Sequence, residues 1–268
     1  MTSPSYALVT GASAGIGAAF ARELAARGES LVLTARRGDR LEALAAELRA
    51  QHAIDVHCIP CDLADLAAPL HLHEEIARRG LAIGTLINNA GYGVTGTFLA
   101  RPWSTHAQFI QVMMTAPTEL CHRFLPGMRE RGAGRIVNVA SLAGLVPAPA
   151  GHTLYAASKA YLIRFSQALG LENRAHGVKV CALCPGFTYS EFHDVNGARE
   201  QVKGMPKWLW MDAAPVVRDA LDAVDRGEIV RVSGGVNRMI KRVFKLLPDR
   251  LALRLIDQRG KDFRIVDE

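Results

Sequence analysis

The 268-residue sequence has no run approaching the roughly 18 consecutive apolar residues of a membrane-spanning helix, so no such span is expected. Its first residues, Met1-Thr2-Ser3-Pro4-Ser5, lack a basic stretch followed by an apolar one. No secretory signal is read there, and the cytoplasm is the expected location. Cysteine is sparse and odd in number, at five, which disfavours a disulfide framework. Cys58/Cys61 and Cys181/Cys184 have the CxxC spacing of zinc sites, but both pairs lie in apolar, β-branched runs. In a strand, residues i and i+3 point to opposite faces and cannot hold one ion, so no metal is expected and the thiols read as small buried hydrophobes. Also missing are Pro/Gly/Ser linkers, low-complexity tracts and a clean internal repeat, which makes one domain the economical reading.

What is present is an ordinary globular mixture, 49% apolar and 22% charged with mean hydropathy +0.09, which excludes disorder. The net charge is +6, yet residues 231–268 hold ten basic and five acidic side chains and so carry +5 of it. The near-neutral remainder makes no case for nucleic acid. Short apolar runs at 6–9, 30–35, 55–59, 85–88, 134–139, 178–183 and 229–232 alternate with helical patterns at 15–27, 39–50, 65–79, 103–131, 153–175 and 213–226. This alternation predicts repeated βαβ units, an α/β fold with one parallel, doubly wound sheet. Near-continuous apolar strands fit a sheet covered on both faces.

Two stretches fall outside the pattern. Residues 186–212, with Phe187, Tyr189, Phe192, Trp208 and Trp210, read as a lid over a substrate. Residues 233–268 read as a basic helical extension of the 1–232 domain. In it Arg238, Lys241, Arg242 and Lys245 take one helical face, and Ile240, Val243, Phe244 and Leu247 another. Such a helix can lie on an anionic membrane surface; more commonly it covers the domain's own core or a partner subunit.

The chemistry-bearing residues begin with Thr10-Gly11-Ala12-Ser13-Ala14-Gly15-Ile16-Gly17, between the first strand and the first helix. Glycines there let backbone approach a pyrophosphate at the helix N-terminus. About 20 residues on, where an NAD site carries an acidic residue, stand Arg36 and Arg37. A guanidinium grips a 2′-phosphate that a carboxylate would repel, so NADP(H) is preferred. Arg37 is the better candidate for a solvated strand-end charge. Tyr155 and Lys159 share a helix face one turn apart, where an ammonium favours phenolate and brings the tyrosine toward working range. Ser141, 14 residues before Tyr155, ends a strand and can orient the reacting oxygen.

Together Thr10–Gly17, Cys61-Asp62, Asn88-Asn89-Ala90-Gly91, Ser141, Tyr155/Lys159 and Pro185-Gly186-Phe187-Thr188 resemble the single-domain short-chain dehydrogenase/reductase family, over residues 6 to about 190. The resemblance implies a Rossmann-type sheet of seven strands in a three-layer α/β/α arrangement. It also implies a homo-dimer or homo-tetramer, often built on the helices containing 103–131 and 153–175. By position, Ser141, Tyr155 and Lys159 are the catalytic residues. Gly11, Ser13, Gly15, Ile16, Gly17, Arg36, Arg37, Asp62, Asn89, Ala90, Gly91, Tyr155 and Lys159 hold the coenzyme. Pro185, Gly186 and Thr188, with Ser190, face its carboxamide. One departure stands out: the asparagine usual in the helix before the fifth strand is replaced by Met113, and a thioether cannot donate a proton. The pocket is expected at Met113, Val146, His152, Phe187, Phe192 and Trp208, hence an apolar carbonyl or alcohol substrate. His152 is not read as the general base, since Tyr155 fills that role. The expected activity is NADP(H)-dependent carbonyl/alcohol interconversion, in the reductive direction. The alternative is a non-catalytic or weakly active NADP(H)-binding protein, docked to a membrane or partner through the basic tail.

Overall fold

The computed structural model describes residues 5–94, 96–189 and 206–260. The apolar runs form β1 (Ser5–Thr10), β2 (Ser30–Thr34), β3 (Val56–Cys58), β4 (Ala82–Asn88), β5 (Gly134–Val139), β6 (Val178–Cys184) and β7 (Val230–Val232). All pair in parallel, in the order β3-β2-β1-β4-β5-β6-β7. Strand order reverses between β1 and β4, and a crevice at such a point, beyond the carboxyl ends of the strands, is where α/β sheets bind ligands.

Alternation along each strand divides the core into two layers. From β1, Ala7 and Val9 join Phe20, Leu24, Leu41, Leu48 and Val217 on one face. These come from α1 (Gly15–Ala26), α2 (Gly38–Gln51) and α7 (Ala213–Asp225). Leu8 points the other way and packs with Leu72, Ile76, Leu120, Phe124 and Met128. Those side chains belong to α3 (Ala68–Arg78) and α5 (Ala116–Glu130). On that same side α6 (Thr153–Asn173) sets Leu162 and Ile163 against Ala140 and Ala182. Full burial of each large apolar side chain is worth about 1.5–3 kcal/mol, so the two layers supply the main driving force.

The pattern at 103–131 does not form one uninterrupted α-helix. It is α4 (Trp103–Ile110), a π-helical turn (Gln111–Thr115), then α5. Pro117, in the first turn of α5, has no N–H to return to the Met113 carbonyl, and its ring crowds that oxygen, so the chain widens its turn there. The cysteine expectation also needs one correction. Cys181 and Cys184 do face opposite sides of β6 in the two core layers, but β3 stops at Cys58 and Cys61 lies beyond its end. Cys58 and Cys61 are only half-buried. After β7 come α8 (Gly235–Leu246) and α9 (Asp249–Gly260). No helix among the described residues is long and apolar enough to cross a membrane.

Candidate active site

Because the sheet is parallel, the segments leaving β1, β2, β3, β4, β5 and β6 all emerge at one edge, and each carries a residue singled out above. The loop after β1 turns through Gly11 (φ +66) and Gly15 (φ +55), conformations that L side chains rarely adopt. Gly17 has a packing reason to be glycine: a Cβ there would sit 2.2 Å from the Gly11 carbonyl oxygen and 2.5 Å from Asn89 Nδ2. No side chain caps α1, so its first N–H groups are left facing the turn. The loop is held from below by the end of β4. Thr10 Oγ1 accepts from the amides of Asn89 (2.9 Å) and Ala90 (3.0 Å) and donates to the Ile87 carbonyl (3.2 Å). Asn89 Nδ2 donates to the carbonyls of Thr10 (2.9 Å) and Gly11 (3.3 Å). Thr10 stood in the motif, but its role as the peg joining the two loops depends on a pairing 79 residues apart that spacing does not reveal.

At the far end of the crevice Arg36 is exposed, while Arg37 folds back and donates to Ser13 Oγ from Nε (3.3 Å) and Nη2 (3.1 Å). Asp62 closes its own turn by accepting from the Ala64 amide at 3.0 Å. Burial raises the Tyr92 phenol pKa; the Arg36 guanidinium opposes that rise and the Asp62 carboxylate adds to it, so the three share one corner. Tyr92 was missed in the sequence because nothing in its spacing marks it; it is set by an edge-on contact with the Phe109 ring, 5.5 Å between centroids.

At the other end lie Ser141, Tyr155 and Lys159. Ser141 leaves β5 in extended backbone, its Oγ accepting from the Ala143 amide at 3.1 Å. The Ser141 side chain adjoins the Tyr155 phenol closely enough to act on its pKa. Lys159, one turn along α6, is buried with Nζ 5.7 Å from the centre of the Tyr155 ring, donating to the Val139 carbonyl at 2.8 Å. Burial pushes the Lys159 ammonium down to about 8, and the neighbouring Cys184 partly opposes this. Burial also raises the Tyr155 phenol, with the Ser141 side chain pulling the other way. Desolvation thus opposes the drive toward phenolate that the Lys159 ammonium and an oxidised nicotinamide would supply.

The loop after β6 is tied to both sides. The Pro185 carbonyl accepts from the Leu142 amide (2.9 Å), and Thr188 is buried with Oγ1 on the Gly186 carbonyl (3.2 Å). Phe187 meets Trp210 at 5.5 Å, and Tyr189 stacks on Trp210 at 4.9 Å. Val146 and His152 are half-buried on the segment before α6, and burial lowers the His152 imidazole pKa. Ser190 and Phe192, with most of the expected lid, lie outside the described residues. Trp208 is 66% exposed. Met113 is 1% exposed and packs under Gly91, its Sδ 2.9 Å from where a Cβ on that glycine would be. With Thr10, Asn88, Ala90 and Val139 it lines a cavity of about 10 Å³, room for a single water.

Comparison with known proteins agrees with this geometry. The family model for short chain dehydrogenases matches residues 5–201. A very-long-chain 3-oxoacyl-CoA reductase of Anas platyrhynchos is 33% identical over 266 residues, covering 97% of this chain and 81% of that protein. A short-chain dehydrogenase from Sphingobium yanoikuyae, solved in complex with NADPH, is 32% identical with TM-score 0.80, over 91% of this chain and 96% of that one. A bulky-bulky ketone specific alcohol dehydrogenase from Comamonas testosteroni is 30% identical with TM-score 0.75, over 92% and 96%. With motif order, strand order and likeness in accord, the chain belongs to the short-chain dehydrogenase/reductase family.

Proposed function

We propose that this protein is an NADP(H)-dependent oxidoreductase that interconverts a carbonyl and a secondary alcohol, working as a reductase on an apolar substrate. The observation that carries this is the Ser141–Tyr155 hydroxyl pair with the Lys159 ammonium one turn away, at the same sheet edge as the Gly11–Gly17 loop. The residues present fit the coenzyme: Gly11 and Gly17 leave the backbone bare at the start of α1. Arg36 and Arg37 supply the charge that a 2′-phosphate requires. Ser13, Gly15, Ile16, Asp62, Asn89, Ala90 and Gly91 line the same crevice, and Pro185, Gly186 and Thr188 flank its reacting end. When bound, NADP(H) supplies or accepts the hydride.

The chain's own part is proton supply and orientation. Tyr155 donates its hydroxyl proton to the carbonyl oxygen, and Ser141 Oγ–H holds that oxygen in place. Lys159 compensates charge appearing on the phenol, and Val139 fixes its ammonium. The Phe187, Tyr189 and Trp210 rings beside the site support an apolar substrate, as do the relatives' printed substrates, a very-long-chain 3-oxoacyl-CoA and bulky ketones. Val146 and His152 complete the wall on the α6 side. The non-catalytic alternative rested on Met113, which packs beneath Gly91 and leaves Ser141, Tyr155 and Lys159 assembled. We further place the protein in the cytoplasm, as a 1–232 catalytic domain with a helical extension, assembled as a homo-dimer or homo-tetramer.

The test is a panel of aldehydes and ketones of graded chain length, read by loss of the NADPH absorbance band. Turnover rising with substrate apolarity is expected, with NADH a poor substitute. No turnover across the panel, or indifference to chain length, contradicts the corresponding part of the reading.

A further inference from the structure

The sequence alone left α8 with three possible partners: the domain's own core, a second subunit or a membrane surface. The structure removes the first for half of its apolar arc. α8 is anchored through Asn237, which is buried with Nδ2 donating to the Ser233 carbonyl at 2.8 Å and lying 3.3 Å from Met211 Sδ. Val236, Ile240, Phe244 and Leu247 are half-buried on that same side. The other half of the arc is bare: Met239 is 59% exposed, Val243 49% and Leu246 85%, at the i, i+4, i+7 spacing of one helical stripe. α9 adds Leu251 and Leu255, exposed and one turn apart. The cations lie on one flank of this stripe, Arg242 nearest and Lys245 beyond it, with no acidic residue anywhere in α8; Arg238 turns back toward the Val232 carbonyl (3.4 Å) and half-buried Lys241 sits on the opposite face. α9 adds Arg250 and Arg254 together with Asp249 and Asp257, so the positive charge is concentrated on α8.

We propose that α8 and α9 form a docking face for an anionic lipid surface, on which the bare apolar stripe enters the headgroup layer while the flanking cations meet acidic lipid. The charge selects this occupant. A symmetric contact between two copies of the chain would cover the bare stripes but leave the flanking Arg242 and Lys245 with no acidic partner on α8. A nucleic acid would satisfy the cations and leave Met239, Val243 and Leu246 without an apolar partner. An acidic bilayer surface satisfies both. The proposal does not rest on the coenzyme or on the carbonyl chemistry, so an inactive preparation tests it equally well.

The experiment is co-sedimentation of the full chain with vesicles of phosphatidylcholine alone and of phosphatidylcholine mixed with phosphatidylglycerol, at low and high salt. Binding to the mixed vesicles, weakened by salt, with the protein staying in the supernatant of the neutral ones, is expected. Arg242→Gln with Lys245→Gln should weaken binding about fivefold per cation removed. Val243→Gln with Leu246→Gln should weaken it about tenfold or more. Both pairs change exposed side chains, so circular dichroism and turnover on a water-soluble ketone should be unchanged. The proposal is overturned if the full chain ignores the mixed vesicles, binds neutral ones equally, or binds undiminished in both variants. It is equally overturned if the Val243→Gln, Leu246→Gln variant changes only the oligomer size in sedimentation velocity, which assigns the face to a second copy.

Discussion

Burial governs both titrating residues of the site, and each consequence is measurable. Lys159 titrates near 8 in the folded chain against 10.5 ordinarily, so between those values the unfolded chain binds more protons. Its contribution therefore rises with pH through that window and is most unfavourable below it, where a charged amine is held out of water. Lys159→Met should accordingly be more stable than the parent in urea by roughly 1–3 kcal/mol near neutral pH, with the advantage shrinking toward about pH 10. A difference that does not move with pH would show that the ammonium is solvated. Arg36 is tested by coenzyme choice. Losing a charge-assisted grip of about 1.5–3 kcal/mol, Arg36→Ala should lose roughly ten- to a hundredfold in kcat/KM for NADPH and little for NADH. These identities were readable at their places in the chain because each is a residue type at a strand end or a helical spacing. The direction in which Tyr155 shifts was not, since it depends on how much of the molecule closes over the phenol.

Among the elements, the strands and the turn into α1 were legible for a local reason: apolar runs bounded by glycines admit few alternatives. The peg between β1 and β4 was not, because it joins positions far apart in the chain, and neither was the π-helical turn, which one proline imposes on an otherwise continuous helical pattern. Gly17→Ala would bring a methyl group to 2.2 Å from the Gly11 carbonyl, and backbone cannot yield there as a flexible side chain would. NADPH affinity, read by fluorescence titration, should fall at least tenfold with the fold intact. Thr10→Val keeps the shape but leaves two amides without an acceptor, at 2.9 and 3.0 Å from the lost oxygen. Chemical denaturation should show a loss of about 2–4 kcal/mol.

Over the whole molecule, the parallel sheet gathers six strand ends on one edge, and α8 is keyed into that edge from outside. A Cβ on Gly186 would lie 2.5 Å from Asn237 Nδ2, so the loop flanking the reacting end and the anchor of α8 share one space. Gly186→Ala should raise the KM for coenzyme several-fold, and adding Asn237→Ala should restore part of the loss; additive effects would show the two are independent. This coupling was invisible in the sequence, where the tail read as an appendage.

The central claim is that the Tyr155 hydroxyl delivers the proton in carbonyl reduction. The most direct measurement is Tyr155→Phe, assayed for ketone-dependent NADPH oxidation alongside NADPH binding. The account predicts turnover falling about 10²–10⁴-fold with binding retained; turnover within a few-fold of the parent would contradict it.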